Sequence, residues 1–296
     1  MRRSMLRSAA VLMTAGALVA AGTSSALAVT QPASHNVNVV GTGTSVKLST
    51  STVESGTVSF QVSTKIPAST GGSSAISLFR LNAGKTLSTV LRDIGLEFSN
   101  QPSQAAKGTR ELTEDVTFFG LADVVQGHPE TVTEMLSAGT YYLIDLGGAP
   151  PTGPSSFTKL TVRQDHDNDR ARPVRSQFTV QLTSADRFVA PRNWAHEGTV
   201  TVANVSDTIH FMELSPVKAG TTDQQIQAFF DSGVQAPPPF GRQGPSGGSD
   251  VLSPGKSLKL TYDLPAGTYV LLCFVADDMT GMPHALMGMH KVVVLH

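Results

Sequence analysis

The sequence predicts an all-β chain folded as two tandem Greek-key β-sandwiches, each with one short helix. Two observations carry this. Short runs rich in Val, Thr, Tyr and Phe are separated by Gly, Pro, Ser and Thr, the punctuation of sandwich strands. Segments of the first half also return in the same order in the second, as expected of a repeated fold.

Residues 1–28 come first: a basic start, an uncharged apolar stretch and small residues at Ala26 and Ala28. This predicts a secretory signal peptide, and hence a secreted, extracellular protein. Arg2 and Arg3 ahead of Ser4-Met5-Leu6 resemble the start of a twin-arginine export signal. No later apolar run is long enough to span a bilayer.

The first domain is placed at 29–162, with strands in "TVSFQV" from Thr57 and "TYYLIDL" from Thr140. Between them, helical periodicity runs over 85–98, with Thr86 offering an N-cap hydroxyl. A polar linker is expected at 163–175. Its Asp165, Asp167 and Asp169 imitate the opening of a calcium loop, but the sixth-position glycine and the closing acidic ligand are missing, which favours a solvated segment.

The second domain, at 176–296, has strands in "SQFTVQL", "TVTVANV", "SLKLTYDL" and "TYVLLCFV". Its helix is expected over 221–233 with Thr222 as cap, and a Pro- and Gly-rich surface loop over 235–250. "GTVSFQV" from Gly56 pairs with "GTVTVANV" from Gly198, and "LNAGKT" from Leu81 with "VKAGTT" from Val217. Further on, "SAGTYYLIDL" from Ser137 pairs with "PAGTYVLLCF" from Pro265, and "KLTV" from Lys159 with "KVVV" from Lys291.

With a net charge of -1, the chain has no electrostatic footprint for nucleic acid. A single cysteine, Cys273, excludes an internal disulfide and leaves two readings for an exported thiol: buried in the core, or bound as a ligand.

The chemistry is concentrated near the end, in "LLCFVADDMTGMPHALMGMHKVVVL". Taken singly, Cys273 reads as a small core hydrophobe, His210 as a hydrogen-bonded strand-end residue and Met289 as a gap filler. Jointly, His210, Cys273, His284 and Met289 offer a thiolate, two imidazoles and a thioether, the donor set of a blue-copper site. His210 comes from a distant strand, and the other three from one loop between the last two strands. Sandwich loops gather at one end, so such a set can converge.

On these residues the second repeat resembles a cupredoxin, of the plastocyanin and azurin type. The resemblance lies in "GTVTVANVSDTIHF", where a strand ending in Asn204 precedes the histidine, and in the Cys273, His284, Met289 order before the last strand. It implies one copper ion in the second domain and one-electron transfer to an extracellular redox partner. The ten residues between Cys273 and His284 depart from the two to four of small cupredoxins, and are closer to the longer loop of copper nitrite reductases. In the first repeat Ser74, Asp145 and Phe157 stand opposite His210, Cys273 and Met289, so that copy is expected to bind no copper.

An enzyme is not expected. The His-x-His pairs of multicopper oxidases, the nucleophile elbow and HExxH are all missing from the sequence. Asp277 and Asp278 read as a possible acid pair or, more simply, as solvated. Two other functions stay open. Met279, Met282 and Met287, with Met212, could collect Cu(I) in a chaperone or storage protein fed by a copper-donor partner, or form an apolar lid. Alternatively, both repeats are a metal-free binding module. His290 and Lys291 are expected to be exposed and non-ligating, and His35, His128, His166, His196 and His296 lack partners at ligand spacing.

Overall fold

A computed structural model describes residues 35–148, 150–164, 174–233 and 236–296. The expected signal peptide, the Asp165, Asp167 and Asp169 segment of the linker, and His166 lie outside the described residues.

The first repeat contains β1 (His35–Gly41), β2 (Val46–Leu48), β3 (Thr52–Glu54), β4 (Gly56–Thr64), β5 (Ser74–Leu81), β6 (Val116–Gly120), β7 (Asp123–Val124), β8 (Glu130–Leu136), β9 (Gly139–Asp145) and β10 (Thr158–Arg163). The second contains β11 (Thr179–Thr183), β12 (Arg187–Val189), β13 (Asn193–Trp194), β14 (Glu197–Asn204), β15 (His210–Pro216), β16 (Gly247–Leu252), β17 (Ser257–Asp263), β18 (Gly267–Leu272) and β19 (His290–Leu295). Three helices join them: α1 (Leu87–Glu97), α2 (Pro102–Asp115) and α3 (Asp223–Asp231).

The strands alternate as a half-buried sheet requires: in β4, Val58, Phe60 and Val62 point into the core, and in β17, Leu258, Leu260 and Tyr262 do. Each repeat folds as a two-layer sandwich, as predicted. The layers do not stop at the repeat boundary. One sheet runs β12-β11-β14-β17-β8-β4-β1-β2 and the other β13-β19-β18-β15-β16-β6-β5-β9-β10-β3. Both orders are palindromic under the sequence repeat, with equivalent strands meeting at each junction, β17 with β8 and β16 with β6. The two copies are therefore related by an approximate twofold axis, and their edge strands close each other off.

Register at the junction is set by Leu260 opposite Val132 in one layer and Leu252 opposite Phe119 in the other. Two buried polar pairs cross it. Ser77 Oγ donates to Asp250 Oδ1 over 2.6 Å, and Gly248 N donates to both carboxylate oxygens of Glu130 at 3.1 and 3.2 Å.

The two expected helices form with capping boxes, Thr86 with Thr89 and Thr222 with Gln225. α2 is an addition to the predicted elements, in a segment that is polar overall. It buries Ala105, Ala106, Gly108, Thr109 and Leu112, a face made mostly of small residues, and packs closely on α1 where Gly108 meets the backbone of Glu97.

Candidate metal centre

His210 opens β15, and two features aim it. The preceding turn is held by Asn204, whose Nδ2 donates to the carbonyls of Thr208 and Leu252, both at 2.8 Å, while its Oδ1 accepts from Ser206 N at 3.0 Å. A break in the β15–β16 register falls between His210 and Met212, and such bulges redirect side chains.

Cys273 directly follows β18. The chain then leaves the sheet and returns at Pro283, which bridges to Ala276. Inside this excursion Asp277 N donates to Met282 O and Gly281 N to Asp277 O, each at 2.8 Å. At its neck His284 N donates to Val275 O at 2.9 Å and Ala285 N to Cys273 O at 2.7 Å. The ten intervening residues are thus a closed loop whose ends meet, and the long spacing does not separate Cys273 from His284.

The first repeat clasps that loop. Thr109 Oγ1 of α2 donates to Ala276 O at 2.8 Å, Ala276 N donates to Glu97 Oε1 at 3.4 Å, and Arg110 donates to Asp278 O. Gly281, at φ 70, lies against the backbone of Pro102, so closely that a Cβ there would collide. The short 3-10 turn His284–Met287 follows, ended by Gly288 at φ 104, and Met289 N donates to His284 O at 2.9 Å.

Three donor atoms converge. His210 Nδ1 and His284 Nδ1 are 3.1 Å apart, and Cys273 Sγ lies 3.8 Å from the first and 3.7 Å from the second. A point equidistant from all three is about 2.1 Å from each, within the range of metal–imidazole bonds of about 2.0–2.1 Å. All three side chains are wholly buried, as is Met289, which the turn brings back beneath His284.

The chemistry of the donor set fits a soft transition metal. Burial pulls His210 down to about 3, helped by the His284 charge, and pulls His284 down to about 4 against the opposing effect of Asp277. Both rings are neutral at pH 7, the form that ligates. With both Nδ1 atoms turned to one point, the outward Nε2 atoms of both rings lack hydrogen-bond partners among the described residues. They face Asp186 Oδ1, at 3.9 Å from His210 and 3.7 Å from His284. Burial, reinforced by Asp277, pushes the Asp186 carboxyl up to about 6. Sequence reasoning missed Asp186, which reads as an ordinary polar turn residue in "TSADRF".

Other expected roles change. His290 is not exposed: its side chain is 6% accessible, and its Nε2 pairs with Gln227 Oε1 at 2.9 Å, fixing α3 to β19. Its burial follows from this helix contact, which the strand pattern does not disclose. Asp277 holds its own loop: its Oδ1 accepts from Met279 N, Thr280 N and Thr280 Oγ1. Of the methionines, Met212 is buried in β15, whereas Met279 and Met282 are 79% and 46% exposed.

In the first repeat the equivalent place is filled by hydrogen bonds. Asp145, opposite Cys273, accepts from Gly43 N at 2.6 Å and Gly147 N at 3.0 Å, and Ser74 Oγ, opposite His210, lies 2.7 Å from Thr64 Oγ1.

No protein-family model matches the chain, and no curated protein sequence matches it. Among solved structures it is similar to dithionite-reduced auracyanin from the photosynthetic bacterium Roseiflexus castenholzii, at 19% identity over 40% of this chain and 95% of that one, with a TM-score of 0.26. It is similar to an azurin, Az-iso2, from the methylotroph Methylomonas sp. strain J, at 16% identity over 45% and 100% of the two chains, TM-score 0.28. Similarity to copper nitrite reductase from Nitrosomonas europaea extends over 89% of this chain and 94% of that one, at 10% identity and a TM-score of 0.21. These scores are low, and the fold stands on the strand order and register themselves. By that topology the chain is a tandem pair of two-layer β-sandwiches, and its second copy holds a buried His210–Cys273–His284 cluster able to hold a metal ion, with Met289 also buried.

Proposed function

We propose that the protein binds one copper ion in its second repeat and carries single electrons to and from an extracellular redox partner, without catalysing turnover of a substrate. The observation that carries this is the triangle of two imidazole nitrogens and a cysteine sulfur, all buried and all within 3.8 Å of one another. His210 Nδ1, His284 Nδ1 and Cys273 Sγ would hold the ion, and Met289 would supply a weak thioether. Copper bound there would supply a Cu(II)/Cu(I) couple.

The protein's own part is to keep the donors in place, neutral and dry. β15 and β18 fix His210 and Cys273, and the closed loop fixes His284. A rigid donor set lowers the reorganisation that one-electron exchange requires. Export by the signal peptide would place the protein outside the cell, where its partner is expected.

A second reading, capture of Cu(I) in a chaperone or storage role, draws on the exposure of Met279 and Met282 on the same loop. Titrating the purified mature protein with Cu(II) and Cu(I) separates the two. An intense blue thiolate-to-copper band, lost in Cys273→Ala, is expected of the electron carrier. Cu(I) uptake without that band would select capture, and failure to bind either ion would leave a metal-free module.

A further inference from the structure

The turn between β11 and β12 ends in a residue with an unusual backbone. Among the described residues Asp186 is the non-glycine residue with positive φ, at 51°. Left-handed conformations cost L-residues roughly 1–2 kcal/mol, least for Asp and Asn, and persist where the surroundings impose them. Here the surroundings do. Asp186 N donates to Thr183 O at 2.9 Å, and Arg187 Nη1 donates to the carbonyls of Ala185 at 3.1 Å, Asp186 at 2.7 Å and Met287 at 3.2 Å. Arg187 thereby staples the strained turn to the 3-10 turn that begins with His284.

The result is a mostly buried carboxylate set against the outer nitrogens of both imidazoles. Its side chain is 18% accessible, and its Oδ1 is 3.9 Å from His210 Nε2 and 3.7 Å from His284 Nε2, neither of which has a hydrogen-bond partner among the described residues. Asp277 is also near His284, but its Oδ1 is already engaged by the Met279 and Thr280 donors. Asp207, Asp277 and Asp278 all repel Asp186, so electrostatics among the acids does not account for its placement.

A neutral imidazole has one N–H and one lone pair, and the two rings have a competing arrangement. With Nδ1 atoms 3.1 Å apart, one ring could donate Nδ1–H to the other and close the site to a metal. We infer that Asp186 is a positioning residue for the metal ligands: it draws the protons of His210 and His284 to Nε2, directly or through one water, and leaves both Nδ1 lone pairs facing Cys273. A carboxylate behind a ligating histidine acts in this way on tautomer, ring orientation and ligand basicity. The inference rests on the copper reading, and its test is built to judge the two separately.

The test compares the full mature chain with Asp186→Asn, which tolerates the same backbone and differs in charge, and with Asp186→Gly, which removes both the strain and the carboxylate. Imidazole nitrogen shifts of the metal-free, nitrogen-15 histidine-labelled proteins report the tautomers, and Cu(II) titration reports affinity. Expected is a predominance of Nε2–H in the parent, a several-fold rise of the Nδ1–H form in both variants, and copper affinity lower by about 10–100-fold with an unchanged melting temperature in Asp186→Asn. Parent-like tautomers and affinity in both variants would overturn the positioning role. So would a second equivalent of metal in the parent that is lost in Asp186→Asn, since the carboxylate would then be a ligand itself. A parent that binds no copper would remove the copper reading, while the tautomer ratios would still decide the role of Asp186.

Discussion

Thr109 and Ala276 are joined across the repeat boundary: the hydroxyl of Thr109, on α2 of the first copy, donates to the Ala276 carbonyl over 2.8 Å. Ala276 opens the loop that parts Cys273 from His284, so a helix in the copy without metal donors holds the metal loop of the other. Thr109→Val keeps the shape and removes the donor, leaving a buried carbonyl unsatisfied at a cost of about 1–3 kcal/mol. The expected result is lower unfolding stability together with several-fold weaker copper binding. Loss of stability with unchanged copper affinity would show that the clasp does not reach His284.

The two buried histidines make metal-free stability depend on pH. His210, held down to about 3, and His284, held down to about 4, refuse protons that the unfolded chain accepts near 6.5. A depressed native pKa gives stability that is fully present above the unfolded value and is lost as pH falls toward the native one. Between those values each ring contributes a slope of roughly 1.4 kcal/mol per pH unit. Urea unfolding from about pH 7 to about pH 5 is expected to show this slope in the parent and a flatter one in His210→Gln/His284→Gln. Parallel lines would mean that the rings are not held neutral.

At the junction of the copies, burial pushes Glu130 well above the usual carboxylate range, with Asp123 adding to it and the Gly248 N–H opposing. A raised native pKa gives the opposite sign: its contribution is present below the unfolded value and is lost as pH rises through the native one. Glu130→Gln, which keeps the shape and cannot ionise, is expected to be the more stable protein in alkali, by about 2 kcal/mol. Melting temperatures across neutral to alkaline pH check this, and a variant that tracks the parent throughout would refute it.

Gly288 turns the chain from the His284 turn into Met289 with φ 104, and a Cβ there would stand 2.9 Å from the Arg187 guanidinium. Gly288→Ala therefore meets both backbone strain and a clash. A loss of about 1–2 kcal/mol is expected, with a changed visible spectrum of the copper form as Met289 shifts. An unaltered spectrum would indicate that Met289 does not sense the turn.

The metal donors were legible because residue types rare in strand ends and loops occur in one copy of a repeat and not in the other. His210, Cys273 and His284 stand where Ser74, Asp145 and a histidine-free loop stand in the first copy. α2 was not legible although its apolar positions recur as regularly as those of α1, because the segment as a whole is polar and its buried face is mostly the small residues Ala105, Ala106, Gly108 and Thr109, with Leu112 the one large apolar side chain. Glu130 and Asp250 were equally opaque: as sequence they read as solvated charges, and only pairing across the two copies buries them.

By itself the sequence determined the strand runs, the two capped helices, the repeat and the identity of the sulfur and imidazole donors, because each follows from local periodicity or from comparing one half with the other. Tertiary structure decided whether ten residues between Cys273 and His284 part them or bring them together, and it decided in favour of convergence through hydrogen bonds at the neck and a clasp from α2. It also decided where Asp186 points, since a strained turn beside two buried rings is a relation among three distant segments. Distances across a fold depend on how layers pack, and no spacing along the chain encodes them.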